Sequence, residues 1–255
     1  MTIRFSIDDG TIELGRYRSA PIHLHPTFFI TAAILAFPFW HRASLRGVAL
    51  AVLFIGVTFA SILAHELAHA MAARRYRLPT LRIDIHMLGG LVQFPNLPHT
   101  RRQDFVITLA GPISNLAIGI VALALLAIVP RPEPDMIQIG HQLVAGPPRH
   151  GFLELLLRAS AYLNLGLALV NLIPAFPLDG GKLAHLVIEA HWGSRIATLV
   201  VSAAGLAFAC VTTFVLIGSA LAGFPIWSPP EFGINWRAFQ GARDGQGGWD
   251  LFAYQ

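Results

Sequence analysis

Two histidines and a glutamate at helical spacing are the residues of this sequence best suited to chemistry. His65-Glu66-Leu67-Ala68-His69 is an HExxH motif. In a helix of about 3.6 residues per turn, His65 and His69 face the same side and Glu66 projects beside them. Two imidazoles on one helix face suit a zinc ion, and an adjacent carboxylate suits a general base. The motif therefore predicts a hydrolytic zinc site with Glu66 as the catalytic group.

The composition indicates a membrane protein. Hydrophobic residues make up 55% of the 255-residue chain and charged residues only 13%, whereas about a quarter of the residues in a soluble domain are charged. The motif lies inside an apolar stretch over residues 48–73. Ionisable groups are costly there, which favours a functional site over histidines and a glutamate satisfied inside a helix bundle. The basic residues fall between apolar segments, so the expected partner is the lipid bilayer, and no nucleic acid is indicated.

Hydropathy and local pattern predict the elements that must hold the motif. Apolar segments cover residues 22–40, 47–71, 105–129, 152–173 and 196–222, with a short helix over 180–190. Pro174 and Pro177 cannot remain in a regular helix, so they break the fourth segment. Alternating residues over 81–94 predict a β-hairpin or extended loop. The predicted fold is an all-α polytopic membrane protein with five to six transmembrane segments, a small membrane-associated β-hairpin and one proline-broken helix.

The distribution of arginine predicts the orientation. Most arginines lie in the N-terminal segment or in the loop after the motif, namely Arg4, Arg16, Arg18, Arg74, Arg75, Arg77, Arg82, Arg101 and Arg102. The positive-inside rule then puts the N-terminus and the opening of the active site on the cytoplasmic side of a bacterial plasma membrane. His65 lies about 14 Å along the helix from Arg74, so the site is below the membrane surface.

Three regions are predicted along the chain. Residues 1–21 form an N-terminal cytoplasmic segment, residues 22–222 a membrane-embedded catalytic domain, and residues 223–255 a C-terminal tail. The tail is too polar and broken to span, so it is either loosely ordered or rests its tryptophans at the membrane interface.

A third zinc ligand is needed, because a catalytic zinc site usually has three protein ligands and a water. Asp179 is the best candidate, since it follows the proline break at roughly the depth of the motif. The alternative is that Asp179 caps a helix starting at Gly180. With the HExxH motif in the same chain, we favour the ligand.

Three motifs in order carry a family resemblance. They are His65-Glu66-x-x-His69, Gly111-Pro112-x-x-Asn115 and Asn171-x-x-Pro174-x-x-Pro177-Leu178-Asp179-Gly180-Gly181. Over about residues 20–222 the chain resembles the site-2 protease family of intramembrane zinc metalloproteases, and the Leu88-Gly89-Gly90 hairpin looks like a further family feature. The gaps between segments are too short for the PDZ or CBS domains of some relatives.

The resemblance implies one zinc ion per chain, bound by His65, His69 and Asp179, with Glu66 as the general base. It also implies that Asn171 and Asn115 lie near the substrate backbone, although Asn115 could equally make a helix–helix hydrogen bond. The hairpin with Gly89 and Gly90 could hold an extended substrate by strand addition, or be a surface hairpin without a role.

The predicted function is a zinc-dependent endopeptidase that cuts membrane-anchored, regulatory proteins in or near their transmembrane helices. One alternative is a divalent-cation transporter that adds His185 and His191 to the three ligands, and it would need no general base. The other is a non-proteolytic relative that binds membrane proteins and would tolerate loss of Glu66. The oligomeric state is not indicated by the sequence.

Overall fold

Helices dominate the structure, a computed structural model that describes residues 4–6, 10–40, 44–86, 89–95, 100–130, 136–139, 142–145, 151–222 and 232–245. The helices are α1 (Phe28–Trp40), α2 (Leu45–Arg75), α3 (Arg101–Ile128), α4 (Phe152–Asn171), α5 (Asp179–Trp192), α6 (Ser194–Leu221) and α7 (Phe232–Arg243). The strands are β1 (Arg4–Ser6), β2 (Thr11–Tyr17), β3 (Ala20–Leu24), β4 (Arg82–His86), β5 (Gly89–Gln93), β6 (Met136–Ile139) and β7 (Gln142–Ala145).

Four helices of the described residues, α2, α3, α4 and α6, are long and apolar enough to cross a membrane. Each corresponds to a predicted segment. The first predicted segment, residues 22–40, differs because its beginning belongs to strand β3 and only 13 residues form α1. A helix of that length reaches about 20 Å, short of a hydrocarbon core of about 30 Å. The count of five to six spans therefore stays a prediction.

The predicted hairpin is present as β4 and β5, but it is part of a larger sheet. The strand order is β1-β2-β3-β4-β5, so three strands come from the N-terminal region and β5 forms one edge. β3 pairs in parallel with β4 through Ile22 and Ile83, and it crosses the predicted boundary at residue 22. The expectation of an all-α fold with a lone hairpin is corrected accordingly. Residues 87 and 88, which include Leu88 of the predicted hairpin, lie outside the described residues.

The proline break is confirmed. α4 ends at Asn171 and α5 begins at Asp179, with non-helical backbone between them. The first turn of α5 lies close against this segment. A Cβ atom at Gly180 would overlap the backbone of Leu172, and one at Gly181 would overlap the backbone of Ala175. The two glycines therefore let the broken segment fold back over the start of α5.

The C-terminal tail contains a helix where the sequence predicts no regular structure. α7 packs against α6 and buries Asn235, Ala238 and Ala242 on one face. The other tail residues, 223–231 and 246–255 with Trp227 and Trp249, lie outside the described residues. Between α3 and α4, where the sequence analysis predicts no regular element, the described residues form the short antiparallel pair β6 and β7.

Contacts around α2 place the HExxH motif at the centre of the fold. The sheet contributes Leu24 and Ile85 to a buried cluster with Phe28 of α1 and Ile62 of α2. Helix α4 also contacts α2, because Asn164 of α4 donates a hydrogen bond of 2.8 Å to the hydroxyl of Ser61. Helices with small polar residues at their contact can approach closely, so α4 and the sheet together fix α2 just before the motif.

Two ion pairs join α5 to α3. Lys182 Nζ lies 3.2 Å from Asp104 Oδ1, and Arg101 Nε lies 3.7 Å from Glu189 Oε2. Both pairs link the beginning of α3 to α5, the helix that begins with Asp179. The position of Asp179 therefore depends on packing between helices that are far apart in the sequence.

Candidate metal site

The structure brings His65, His69 and Asp179 together. All three residues of the motif that carry functional groups, His65, Glu66 and His69, are buried on α2, at 6%, 5% and 8% exposure. The Nε2 atoms of His65 and His69 are 3.0 Å apart. Asp179 Oδ2 lies 3.0 Å from His65 Nε2 and 3.4 Å from His69 Nε2. Asp179 is 114 residues from His65 in the chain, so only the folded chain forms this cluster.

The three donor atoms fit a zinc ion. Two imidazole nitrogens and one carboxylate oxygen form a usual ligand set of catalytic zinc, which leaves a fourth position open. Bond lengths of about 2.0 Å in tetrahedral geometry correspond to ligand atoms about 3.3 Å apart. The observed separations of 3.0, 3.0 and 3.4 Å agree with that value. The three residues form the one cluster of possible metal ligands found in the described part of the chain.

The contacts of Asp179 differ from those of a helix cap. Asp179 is the first residue of α5, Leu178 occupies the N-cap position, and no side-chain capping hydrogen bond is present there. The Asp179 carboxylate instead contacts the two histidines. The alternative interpretation of Asp179 as a cap for Gly180 therefore does not describe this structure.

Helix α3 orients one of the two histidines. His69 Nδ1 lies 2.7 Å from the Ile107 carbonyl oxygen. A carbonyl only accepts, so Nδ1 carries the proton and Nε2 keeps its lone pair for a metal ion. Sequence analysis does not identify Ile107, because a backbone carbonyl has no residue type by which to find it.

Two glycines allow backbone to approach the functional side chains closely. A Cβ atom at Gly111 of α3 would overlap the Nε2 atoms of His65 and His69. A Cβ atom at Gly90 of β5 would overlap the Glu66 carboxylate. Gly111 on α3 therefore lies against the two histidines, and Gly90 on β5 lies against Glu66. A larger residue at either position would have to displace one of these side chains. Gly89 precedes Gly90 at a φ of 130°, which favours glycine.

The two asparagines predicted to lie near substrate occupy different surroundings. Asn115 is fully buried on α3, one helical turn after Gly111, and its amide has no hydrogen-bond partner among the described residues. The helix–helix hydrogen bond considered for Asn115 is therefore not formed. Asn171 is the last residue of α4 and is half-buried, and within the described residues no hydrogen bond joins it to the cluster.

The additional histidines of the transporter hypothesis lie apart from the cluster. His185 Nε2 lies 3.0 Å from the Thr198 hydroxyl, and His191 Nδ1 lies 3.0 Å from the Val187 carbonyl. Neither histidine joins the group of possible metal ligands in the described ranges. The described residues thus contain one assembled set of possible metal ligands and no second set along a transport path.

Comparisons of sequence relate the chain to known proteases. The model of peptidase family M50 matches residues 53–216. A zinc metalloprotease of Methanocaldococcus jannaschii is 29% identical over 202 residues, which cover 79% of this chain and 52% of the relative. Stage IV sporulation protein FB of Bacillus subtilis is 31% identical over 171 residues, which cover 66% of this chain and 48% of the relative. The chain thus spans about half the length of these curated relatives.

A solved structure has the same fold. The site-2 protease from Methanocaldococcus jannaschii superposes with a TM-score of 0.58 at 25% identity, covering 92% of this chain and 95% of that one. The family match includes all three motifs on which the predicted resemblance rests. The resemblance is confirmed, and the chain belongs to peptidase family M50, the family of site-2 proteases.

Proposed function

We propose that the chain is a zinc-dependent intramembrane endopeptidase. The observation that carries this proposal is the convergence of His65, His69 and Asp179 beside Glu66, where the histidines and Glu66 lie on a helix long and apolar enough to cross a membrane. The expected substrates are membrane-anchored regulatory proteins, cut in or near their transmembrane helices. A transporter is less well supported, because the described part of the chain assembles one buried ligand set, whereas transport requires release on both sides of the membrane.

His65, His69 and Asp179 would hold one zinc ion per chain. A zinc ion held there would supply Lewis acidity, which would lower the pKa of a water molecule and polarise the carbonyl of a peptide bond. The three residues supply two neutral donors and one negative charge, and this charge offsets part of the charge of a divalent cation in surroundings of low polarity. Ile107 keeps His69 in the tautomer that this role requires.

Glu66 supplies the proton transfers of peptide hydrolysis. Its carboxylate accepts a proton from the attacking water as the new carbon–oxygen bond forms. The same carboxyl group then gives that proton to the amine as the carbon–nitrogen bond breaks. Burial of Glu66 at 5% exposure restricts competing bulk water around it. The non-proteolytic alternative has no support here, since the chain retains Glu66 and all three ligands.

Strand β5 is positioned to hold an unwound substrate. It is the edge of the five-stranded sheet, so one side of its backbone has no partner strand in the described part of the chain. Gly90, the second residue of this edge strand, lies against Glu66. A peptide pairing with β5 by strand addition would therefore pass close to the general base. Asn115 and Asn171 are proposed to contact the same substrate backbone.

Cross-linking can test this strand pairing. We expect Leu91→Cys to form disulfides with cysteines placed along a single-span substrate at every second residue near the cut, because paired strands alternate side chains. The measurement uses a Glu66→Gln, Cys210→Ser background, which removes turnover and the single native cysteine. Val211→Cys, exposed on α6, is the matched control. Cross-links with helical spacing, or equal yields at Val211→Cys, would exclude strand pairing.

The proposed orientation follows the arginines at the ends of two helices. Arg74 and Arg75 end α2, and Arg101 and Arg102 begin α3. The sheet connects these helix ends and also contains the N-terminal strands. By the positive-inside rule, this end faces the cytoplasm, and a bacterial plasma membrane is the proposed location.

Metal removal tests the function directly. We expect the purified protein in liposomes to cleave single-span reporter proteins, to lose activity with a zinc chelator and to regain it with added zinc, because catalysis requires the ion. Product masses should place the cut in or near the spanning helix. Cleavage by zinc-free protein would contradict the proposal, and cuts confined to the soluble parts of the reporters would contradict its intramembrane part.

A further inference from the structure

The C-terminal helix α7 contacts the chain segment that leads to Asp179. Asn235 of α7 is fully buried. Its Nδ2 atom donates a hydrogen bond of 2.7 Å to the carbonyl oxygen of Phe176, 59 residues earlier in the chain. Phe176 lies in the proline break, three residues before Asp179. A single side-chain amide thus connects α7 to the backbone beside a predicted metal ligand.

Helix α6 has a notch that receives this amide. A Cβ atom at Gly205 would overlap the Asn235 side chain. Gly205 is buried in the interior of α6, where glycine is less favourable to the helix than alanine. The close approach of Asn235 gives a packing reason for glycine at this position.

Further contacts hold Phe176 and α7 in place. The Phe176 side chain packs with Val201 of α6 and Ala238 of α7, and all three are buried. At the other end of α7, Arg195 donates hydrogen bonds of 2.9 and 3.0 Å to the carbonyls of Ala242 and Arg243. α7 is therefore fixed at both ends, and the Asn235 contact is part of a built interface.

Building on the proposed zinc site, we propose that Asn235 is a positioning residue for the metal ligand Asp179. Between the Phe176 carbonyl and Asp179 lie only Pro177 and Leu178. The ring of Pro177 fixes its φ near −65°, so this connection has few free torsions. A displacement of Phe176 is therefore transmitted to the Asp179 carboxylate. Such a displacement would change the distance between Asp179 Oδ2 and His65 Nε2, which is 3.0 Å in the structure.

Two substitutions on different helices test the proposal. We expect Asn235→Ala and Gly205→Ala each to speed zinc loss to a chelator by about tenfold, the lower end of the effect of losing an outer partner of a metal ligand. The first removes the amide and the second displaces it. In the double variant the two effects should not add, because both act through one contact. The visible absorption spectrum of bound cobalt(II), which reports ligand geometry, should shift in the single variants.

The control is Arg237→Ala, which changes an exposed residue of α7 and should retain zinc like the parent. Circular dichroism identifies any variant that fails to fold, and the zinc loss of the other, folded variant then tests the positioning role. Parent-like zinc loss and cobalt spectra in folded Asn235→Ala or Gly205→Ala protein would overturn the positioning role. A parent protein that binds no zinc would instead overturn the proposed function, so the two failures are distinguishable.

Discussion

Glu66→Gln should lower kcat for cleavage of a membrane-anchored substrate by about 10³-fold while zinc remains bound. General acid–base catalysis contributes about 10² to 10⁴ in rate, and a glutamine amide cannot accept the proton of the attacking water. The substitution preserves size, so the close approach of Gly90 to this side chain is kept. Glu66 is not part of the ligand cluster, and zinc content should therefore equal that of the parent.

The measurement combines single-turnover cleavage in liposomes with zinc analysis of the same preparation. Glu13→Gln, in the pair with Arg16 on the sheet, is the matched control for loss of one carboxylate. Cleavage by Glu66→Gln at the parent rate would make the assignment of Glu66 as general base wrong. Zinc flux into liposomes that persists in Glu66→Gln protein would favour the transporter.

Asp179→Ala should lower zinc affinity by more than about 100-fold. Loss of an outer partner of a metal ligand costs about 10- to 100-fold, and removal of a ligand should cost more. Asp179 Oδ2 is within 3.0 and 3.4 Å of the two histidine nitrogens, so its loss leaves two protein donors. Two donors are fewer than the three of a usual catalytic zinc site. Competition with a chromophoric chelator measures the change.

The substitution Asp179→Ser distinguishes a role of Asp179 as metal ligand from a role as helix cap. Serine caps helices as well as aspartate does, but it has no carboxylate. We expect Asp179→Ser to lose zinc like Asp179→Ala, while its helix content stays the same as that of the parent. Asp244→Asn, an exposed carboxylate after α7, is the control. Retention of zinc by Asp179→Ser would mean that the third ligand comes from another residue.

Local sequence patterns are sufficient to predict the chemistry of the motif and most of the helices. HExxH places two imidazoles and a carboxylate by helical periodicity alone, which needs no long-range contact. The long apolar segments around α2, α3 and α6 identify their own helices, because hydrocarbon requires the backbone to satisfy its hydrogen bonds within the segment. Pro174 and Pro177 predict the break before Asp179 for an equally local reason.

Elements stabilised by partners distant in the chain were harder to predict. The N-terminal strands join the rest of the sheet through the pairing of β3 with β4, and charged residues obscure the alternation of Ile12 and Leu14 in β2. α7 is short, and its buried face consists of Asn235 and small residues, so its hydropathy alone does not predict packing. In both cases the stabilising contact is tertiary.

The completion of the site depends on contacts between elements that are distant in the chain. The Asp179 carboxylate could cap a helix or approach the histidines, and the sequence around Asp179 is compatible with both roles. The Ile107 carbonyl and the close approaches of Gly111 and Gly90 involve backbone atoms, which residue type does not reveal. Local periodicity therefore determined which groups could do chemistry, while packing between helices decided which of them meet, because those contacts join residues as far as 114 positions apart.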